Sequence, residues 1–233
     1  MSPVIYWFRQ DLRLRDLRGL NAVMATGRPV LACYILDDES PGEWRMGGAS
    51  RWWLHHSLTS LAADIEEAGG QLHVARGNPG PVLTRLAQQS GADLVCCSRQ
   101  YEPWARQLEE DLHDSLADGG VELKRYGGSL LWEPETVKTL AGTPFKVFTP
   151  FWRKCREMPL SLEPDTRTRF SPWPVGVEAS ENVCDWALLP TKPNWAESWS
   201  GLWCPGESQA NAKLEAFLKG AVGDYDVGRN YPA

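Results

Sequence analysis

No stretch of this chain stays apolar for long enough to cross a membrane. Its longest apolar runs, such as Pro29 to Leu36, are strand-length, against the ~20 residues that a span needs. The start, Met1-Ser2-Pro3-Val4-Ile5-Tyr6, lacks a positive region ahead of a long apolar core and lacks a small-residue cleavage site, so a cytoplasmic protein without a secretory signal is expected. Cysteine is limited to six residues with no CxxC pair, which speaks against a disulfide frame or a zinc site. Cys33, Cys96 and Cys97 sit inside apolar runs and read as small buried hydrophobes. Positive charge is short as well. With 24 Lys and Arg against 30 Asp and Glu, the formal net charge is −6, a poor balance for a segment that would hold nucleic acid by itself. Neither GxGxxG nor a P-loop occurs, so a standard dinucleotide or P-loop phosphate site is unsupported. His55 and His56 are adjacent on a helical pattern and point to different faces, and His73 and His113 have no acidic or cysteine partner at ligand spacing. No metal site and no catalytic nucleophile and base pair are expected, and no internal repeat is apparent.

What is present is an alternation of apolar, β-branched runs with longer helical patterns, the signature of βαβ units and a parallel sheet. The 233 residues leave room for one substantial domain and an appendage. Strands are predicted at Val4–Phe8, Val30–Leu36, Leu72–Arg76, Leu94–Ser98 and Glu122–Tyr126. Between the second and third, Ser50 to Ala68 places Trp53, Leu54, Leu58, Leu61 and Ile65 on one stripe facing the sheet. Pro81 to Gln89 and Trp104 to Leu116 carry the later crossovers, with Gly91 and Gly119 as stop signals. Right-handed crossovers make a doubly wound α/β sheet of five parallel strands, order 3-2-1-4-5, the natural closure.

The α/β domain is predicted to occupy residues 1–135. Residues 136–205 form a connector whose later part, from Pro159 to Pro205, is rich in proline and carries Trp173, Trp186, Trp195, Trp199 and Trp203. Those tryptophans predict a segment pinned to a folded surface, since a flexible linker would be rich in Gly, Ser or charge. Helical pattern resumes at Glu207, so residues 206–233 read as the opening of a further domain. Trp52, Trp53 and Trp152 are most simply core or domain-interface residues.

The segment Trp7-Phe8-Arg9-Gln10-Asp11-Leu12-Arg13-Leu14-Arg15-Asp16 follows the first strand at its carboxyl end, where ligands sit in open α/β sheets. Its arginines and aspartates suit an anionic or polar ligand. From the residues alone, a solvated, salt-bridged loop is the more ordinary reading.

That segment resembles the opening signature of DNA photolyases and cryptochromes. Further stretches agree with the family in order: Gly48-Ala49-Ser50-Arg51-Trp52-Trp53-Leu54, Gly77-Asn78-Pro79, Tyr101-Glu102-Pro103, Phe145 to Lys154, and Gly206-Glu207 leading to Tyr225 and Arg229-Asn230-Tyr231-Pro232-Ala233. The resemblance covers essentially the whole chain. It implies an antenna domain that binds a light-absorbing pigment and passes excitation to a reduced FAD, held in a larger helical domain that repairs UV-damaged DNA in a cyclobutane pyrimidine dimer photolyase or signals in a cryptochrome. A monomer is expected, and this segment alone is not expected to repair DNA. A generic nucleotide-binding α/β domain would share the fold without the FRxDLR and KVFTPFW stretches.

By the same resemblance the antenna pocket falls on Arg9, Asp11, Ile35, Asp37, Arg51 and Glu102, and Tyr225 sits where the family has a flavin-pocket aromatic. Asp37 and Arg51 are placed to orient a flat polar heterocycle between apolar walls, or to pair with each other at a helix start. Asp16-Leu17 stands where the family has Asp-Asn, and Trp104-Ala105 stands where folate-binding members carry Asn-Glu. A deazaflavin or flavin is therefore expected over methenyltetrahydrofolate, although Gln10 and Gln100 replace charged residues of the deazaflavin pattern.

Overall fold

The computed structural model describes residues 1–160, 170–172 and 176–231. Trp173 and the closing Pro232-Ala233 lie outside the described residues.

Five parallel strands, β1 (Val4–Phe8), β2 (Val30–Leu36), β3 (Leu72–Arg76), β4 (Leu94–Ser98) and β5 (Glu122–Tyr126), form one sheet in the order β3-β2-β1-β4-β5. The helices are α1 (Arg18–Met24), α2 (Gly48–Glu67), α3 (Pro79–Ser90), α4 (Pro103–Asp118), α5 (Phe148–Glu157), α6 (Glu207–Lys219) and α7 (Tyr225–Gly228). β1 lies at the centre, with Val4 opposite both Val30 and Leu94. Successive strand side chains point to opposite faces, so Val4, Tyr6 and Phe8 pack with Leu20 of α1 and Leu58 and Leu61 of α2. Ile5 and Trp7 turn the other way, onto Leu83 of α3 and Leu112 of α4. Both faces of β1 and β2 are covered, which is why their sequences are apolar without alternation. Burial pushes the Cys96 and Cys97 thiols up to about 12, so both stay protonated and inert in the core.

The stripe on α2 is Leu54, Leu58, Leu61 and Ile65, and Trp52 is buried as well, against Trp199 of the connector. Trp53 departs from the sequence expectation and is 44% exposed. One residue along a helix is a rotation of about 100°, and that carries Trp53 off the sheet-facing stripe.

Two segments, around Phe170 and around Glu181, show how the connector is pinned. The Phe170 N–H donates to the Ala68 carbonyl (3.1 Å), Glu181 N–H donates to the Val74 carbonyl (2.9 Å), and the Val74 N–H donates to Ser180 Oγ (2.9 Å). The strap thereby pairs with the outer edge of β3, an edge that would otherwise expose free backbone groups. Glu181 also accepts from Arg76 Nε and Trp186 Nε1 (both 2.7 Å), while Trp186 packs on Tyr34. Gly70 is required where the strap returns: a Cβ there would lie 2.2 Å from the Phe170 Cβ.

His73, on β3 beneath this strap, is 1% exposed. Burial lowers its pKa below the ordinary 6.5; Glu178 pulls it up and Arg85 pushes it further down. The folded chain thus binds this proton less readily than the unfolded chain. Stability is full above the ordinary value and is lost as pH falls from there through the depressed folded value. Urea midpoints measured from pH 7.5 downward should decline over that window, and His73→Gln should flatten the decline. An unchanged slope in the variant would assign the acid sensitivity to other groups.

Candidate functional site

Where β1 and β2 end, the chain must turn away from the sheet, and the two departing loops leave a crevice between them. It encloses a cavity of about 630 Å³, within the range of small-molecule sites. Trp7, Tyr34 and Ile35 form its floor. Trp44, Trp53 and Trp104 give it aromatic walls, the loop from Arg9 to Asp16 forms one side, and Gly206, Glu207, Ala210 and Asn211 also line it.

Among the described residues, three buried polar atoms of residues in its lining have no hydrogen-bond partner: the Trp7 indole N–H, Asp37 Oδ2 and Gln100 Oε1. Buried polar groups are nearly always paired. One orphan donor and two orphan acceptors on residues that line a single cavity form a pattern that a polar ligand would satisfy. Asp37 divides its labour: Oδ1 accepts the Glu39 and Ser40 N–H groups (both 2.9 Å) and fixes the turn after β2, leaving Oδ2 for the cavity.

Arg9 and Asp11 line the cavity but are largely engaged. The Arg9 side chain is 4% exposed and pairs with Glu109; it also donates to the Ser98 carbonyl (3.3 Å) and lies over the Trp7 ring. Asp11 accepts from the Arg9 N–H and from the Ser98 hydroxyl. Ile35 contributes apolar floor. Arg51 is not among the lining residues: it reaches Asp38 (2.5 Å) and the Met46 carbonyl (3.1 Å). Its carboxylate partner is therefore Asp38, one residue beyond Asp37, and its effect on the cavity runs through the loop that carries Trp44 and Met46. Glu102 lies in a neighbouring smaller cavity of about 330 Å³, shared with Arg9, Gln10, Asp11 and Gln100. Tyr225 lines neither cavity; it is 52% exposed and meets the Phe217 ring edge-on (5.8 Å).

Sequence reasoning passed over Glu109 and Glu207. Glu109 is 1% exposed and takes three donors: Arg9, the Gln100 N–H (3.0 Å) and Arg125 (3.1 Å). Its signal was available, because Ala105, Leu108, Leu112 and Leu116 are the buried face of α4 and Glu109 falls among them, four residues from Ala105. A carboxylate on an apolar stripe demands a buried cation.

The family model for DNA photolyase matches residues 4–171, well over half of the chain. The chain belongs to the DNA photolyase family. Among the relatives of this photolyase-family chain, a deoxyribodipyrimidine photo-lyase of Agrobacterium fabrum is 41% identical over the full chain and 48% of its own length. Cryptochrome-1 of Arabidopsis thaliana is 28% identical, over 97% of the chain and 33% of its own length. A crystal structure of a class III photolyase from Agrobacterium tumefaciens superposes with a TM-score of 0.88 at 41% identity, covering 100% of this chain and 48% of that one. The chain thus spans about half the length of the photolyases it matches.

Proposed function

We propose that this chain is the light-harvesting, pigment-binding domain of a deoxyribodipyrimidine photolyase. The observation that carries the reading is an aromatic-walled cavity lined by the three residues whose buried atoms, Trp7 Nε1, Asp37 Oδ2 and Gln100 Oε1, have no partner among the described residues. A deazaflavin or flavin is the pigment favoured over methenyltetrahydrofolate. The imide edge of such a ring, an N–H between two carbonyls, brings the donor that Asp37 lacks and an acceptor for Trp7.

Bound there, the pigment supplies absorption of near-ultraviolet or blue light and transfer of that excitation to a reduced FAD, for which Tyr225 is the one contributor we place in this segment. The protein's own part is positioning. Trp44, Trp53 and Trp104 would offer a flat ring apolar contact, Asp37 would fix its orientation, and Glu109 accepts the Gln100 N–H and so holds that backbone in place. UV-damaged DNA is assigned to the half of the protein outside this segment, in keeping with the net charge of −6. The higher identity to photolyase than to cryptochrome supports lesion repair over signalling as the parent activity.

Mixing purified chain with a deazaflavin, flavin mononucleotide or methenyltetrahydrofolate tests this by absorbance and fluorescence. Saturable binding near one equivalent is expected for one of the first two, with the folate weaker. If none of the three changes its spectrum, the pigment reading falls.

A further inference from the structure

The family match ends at residue 171, yet the cavity does not close without residues 206–211. The sequence arrives there by a close approach. Gly206 has φ +131°, and a Cβ on it would stand 2.4 Å from Ser60 Oγ on α2, so only glycine brings the start of α6 this near. The next residue then reaches across the cavity mouth. Glu207 Oε2 accepts the Leu14 N–H (2.6 Å) and Oε1 accepts the Arg15 N–H (2.9 Å). These are charge-assisted bonds to adjacent amides, made by a residue 192 positions away from Arg15.

The loop they hold also packs Leu12 and Leu14 against the core, and its Asp11 accepts from the Ser98 hydroxyl. Arg13 donates to the carbonyls of Arg15 (3.1 Å) and Asp16 (2.8 Å), and its N–H donates to Asp11 (2.7 Å). Asp16 turns the chain at φ +50°, a conformation that costs a non-glycine residue and persists only when its surroundings hold it. The loop and the opening of α6 thus line one cavity, and the Glu207 carboxylate ties them together.

We infer that Glu207 is a positioning residue for the cavity ligand: a latch that holds the loop of Arg13 and Arg15 against the first turn of α6, making the pigment site a composite of the α/β domain and the helix beyond the connector. This rests on the pigment reading above. Its consequence is kinetic. With the latch closed, ligand enters and leaves only when both bonds open together, so the carboxylate sets how long a pigment stays.

The test uses the full chain, flavin mononucleotide and a deazaflavin as probes, and the variants Glu207→Ala, Glu207→Gln and Glu215→Gln. The last removes an exposed carboxylate on the same helix, paired with Lys219, and serves as the control. Stopped-flow fluorescence is expected to show both association and release accelerated in Glu207→Ala, release by about tenfold, the equivalent of one to two kcal/mol in bonds to a charged acceptor. Glu207→Gln should fall between, and Glu215→Gln should match the parent. A merely structural role would lower the fraction of protein that binds without changing release from that fraction.

Amide hydrogen exchange in ligand-free protein reads the latch independently of any pigment: Leu14 and Arg15 should exchange faster in Glu207→Ala. Unchanged exchange there overturns the latch. Faster exchange with unchanged release overturns its control of the ligand. If the parent chain binds neither probe, the pigment reading itself fails and the latch has nothing to retain, an outcome recognisable because exchange at Leu14 and Arg15 still responds.

Discussion

Glu109→Ala is expected to cost about 3–5 kcal/mol of folding stability, the range found when one partner of a buried ion pair is removed. The Arg9 guanidinium is 4% exposed at its side chain and Glu109 is 2% exposed. Taking the carboxylate away strands a cation between Trp7 and β4, with the Ser98 carbonyl as its remaining hydrogen-bond acceptor. The Gln100 N–H loses its acceptor at the same time. The half-exposed Arg125 loses its partner too, but it can turn to water, so it adds little. Urea unfolding measures the effect as a shift in midpoint at constant slope. Arg9→Ala with Glu109→Ala should cost clearly less than the sum of the single changes, because neither charge is then left alone. A loss under about 1 kcal/mol in Glu109→Ala, the size of an exposed pair, would mean that water reaches this cluster. The same substitution should weaken pigment binding, since Gln100 lines the cavity and its backbone rests on Glu109.

That cluster also marks where the sequence stopped being readable. β1, β2 and β4 were legible as short apolar runs whose pattern reports on nothing beyond their own sheet, while the charged β5, Glu-Leu-Lys-Arg-Tyr, was marked mainly by the Gly119-Gly120 turn ahead of it. The Leu54, Leu58, Leu61 and Ile65 stripe was legible for the same local reason, and Trp53 was grouped with it only because adjacent residues look alike in a hydrophobic count. The short α1 and the helix α5 were not anticipated. Phe148, Phe151, Trp152 and Cys155 do have helical spacing, but Pro150 interrupts the pattern. Proline is tolerated there because it falls in the first turn, whose N–H groups have no intrahelical acceptor.

The site divides in the same way. That a ligand crevice should open after β1 and β2 follows from topology, and Asp37 and Ile35 fall on it by strand order. Which partner Arg9 takes does not follow, because Glu109 is 100 residues away and its choice depends on how α4 packs on the sheet. Whether Arg51 meets Asp37 or Asp38 depends on a turn that Asp37 itself builds through its side-chain oxygen. Glu207 was quoted for its likeness to a family segment, and nothing in local spacing shows that it returns to Leu14.

The second large effect is expected at Asp37. Asp37→Asn should lower affinity for a deazaflavin or flavin mononucleotide by about 10- to 100-fold, the equivalent of losing one hydrogen bond to a charged acceptor, while leaving stability within about 0.5 kcal/mol. The asymmetry comes from the two oxygens. Oδ1 is structural, accepting the Glu39 and Ser40 N–H groups at 2.9 Å, and an asparagine carbonyl can do the same. Oδ2 is buried and unpartnered, and asparagine replaces it with an NH₂ that presents donors to the ligand N–H this position should accept. Asp37→Ala removes both functions, so it should lose affinity and also destabilise the turn by about 1 kcal/mol. Comparing the two variants by fluorescence titration and urea unfolding separates recognition from architecture. Binding by Asp37→Asn equal to that of the parent chain would show that no ligand N–H is received at Oδ2, and the orientation assigned to the pigment would have to be abandoned.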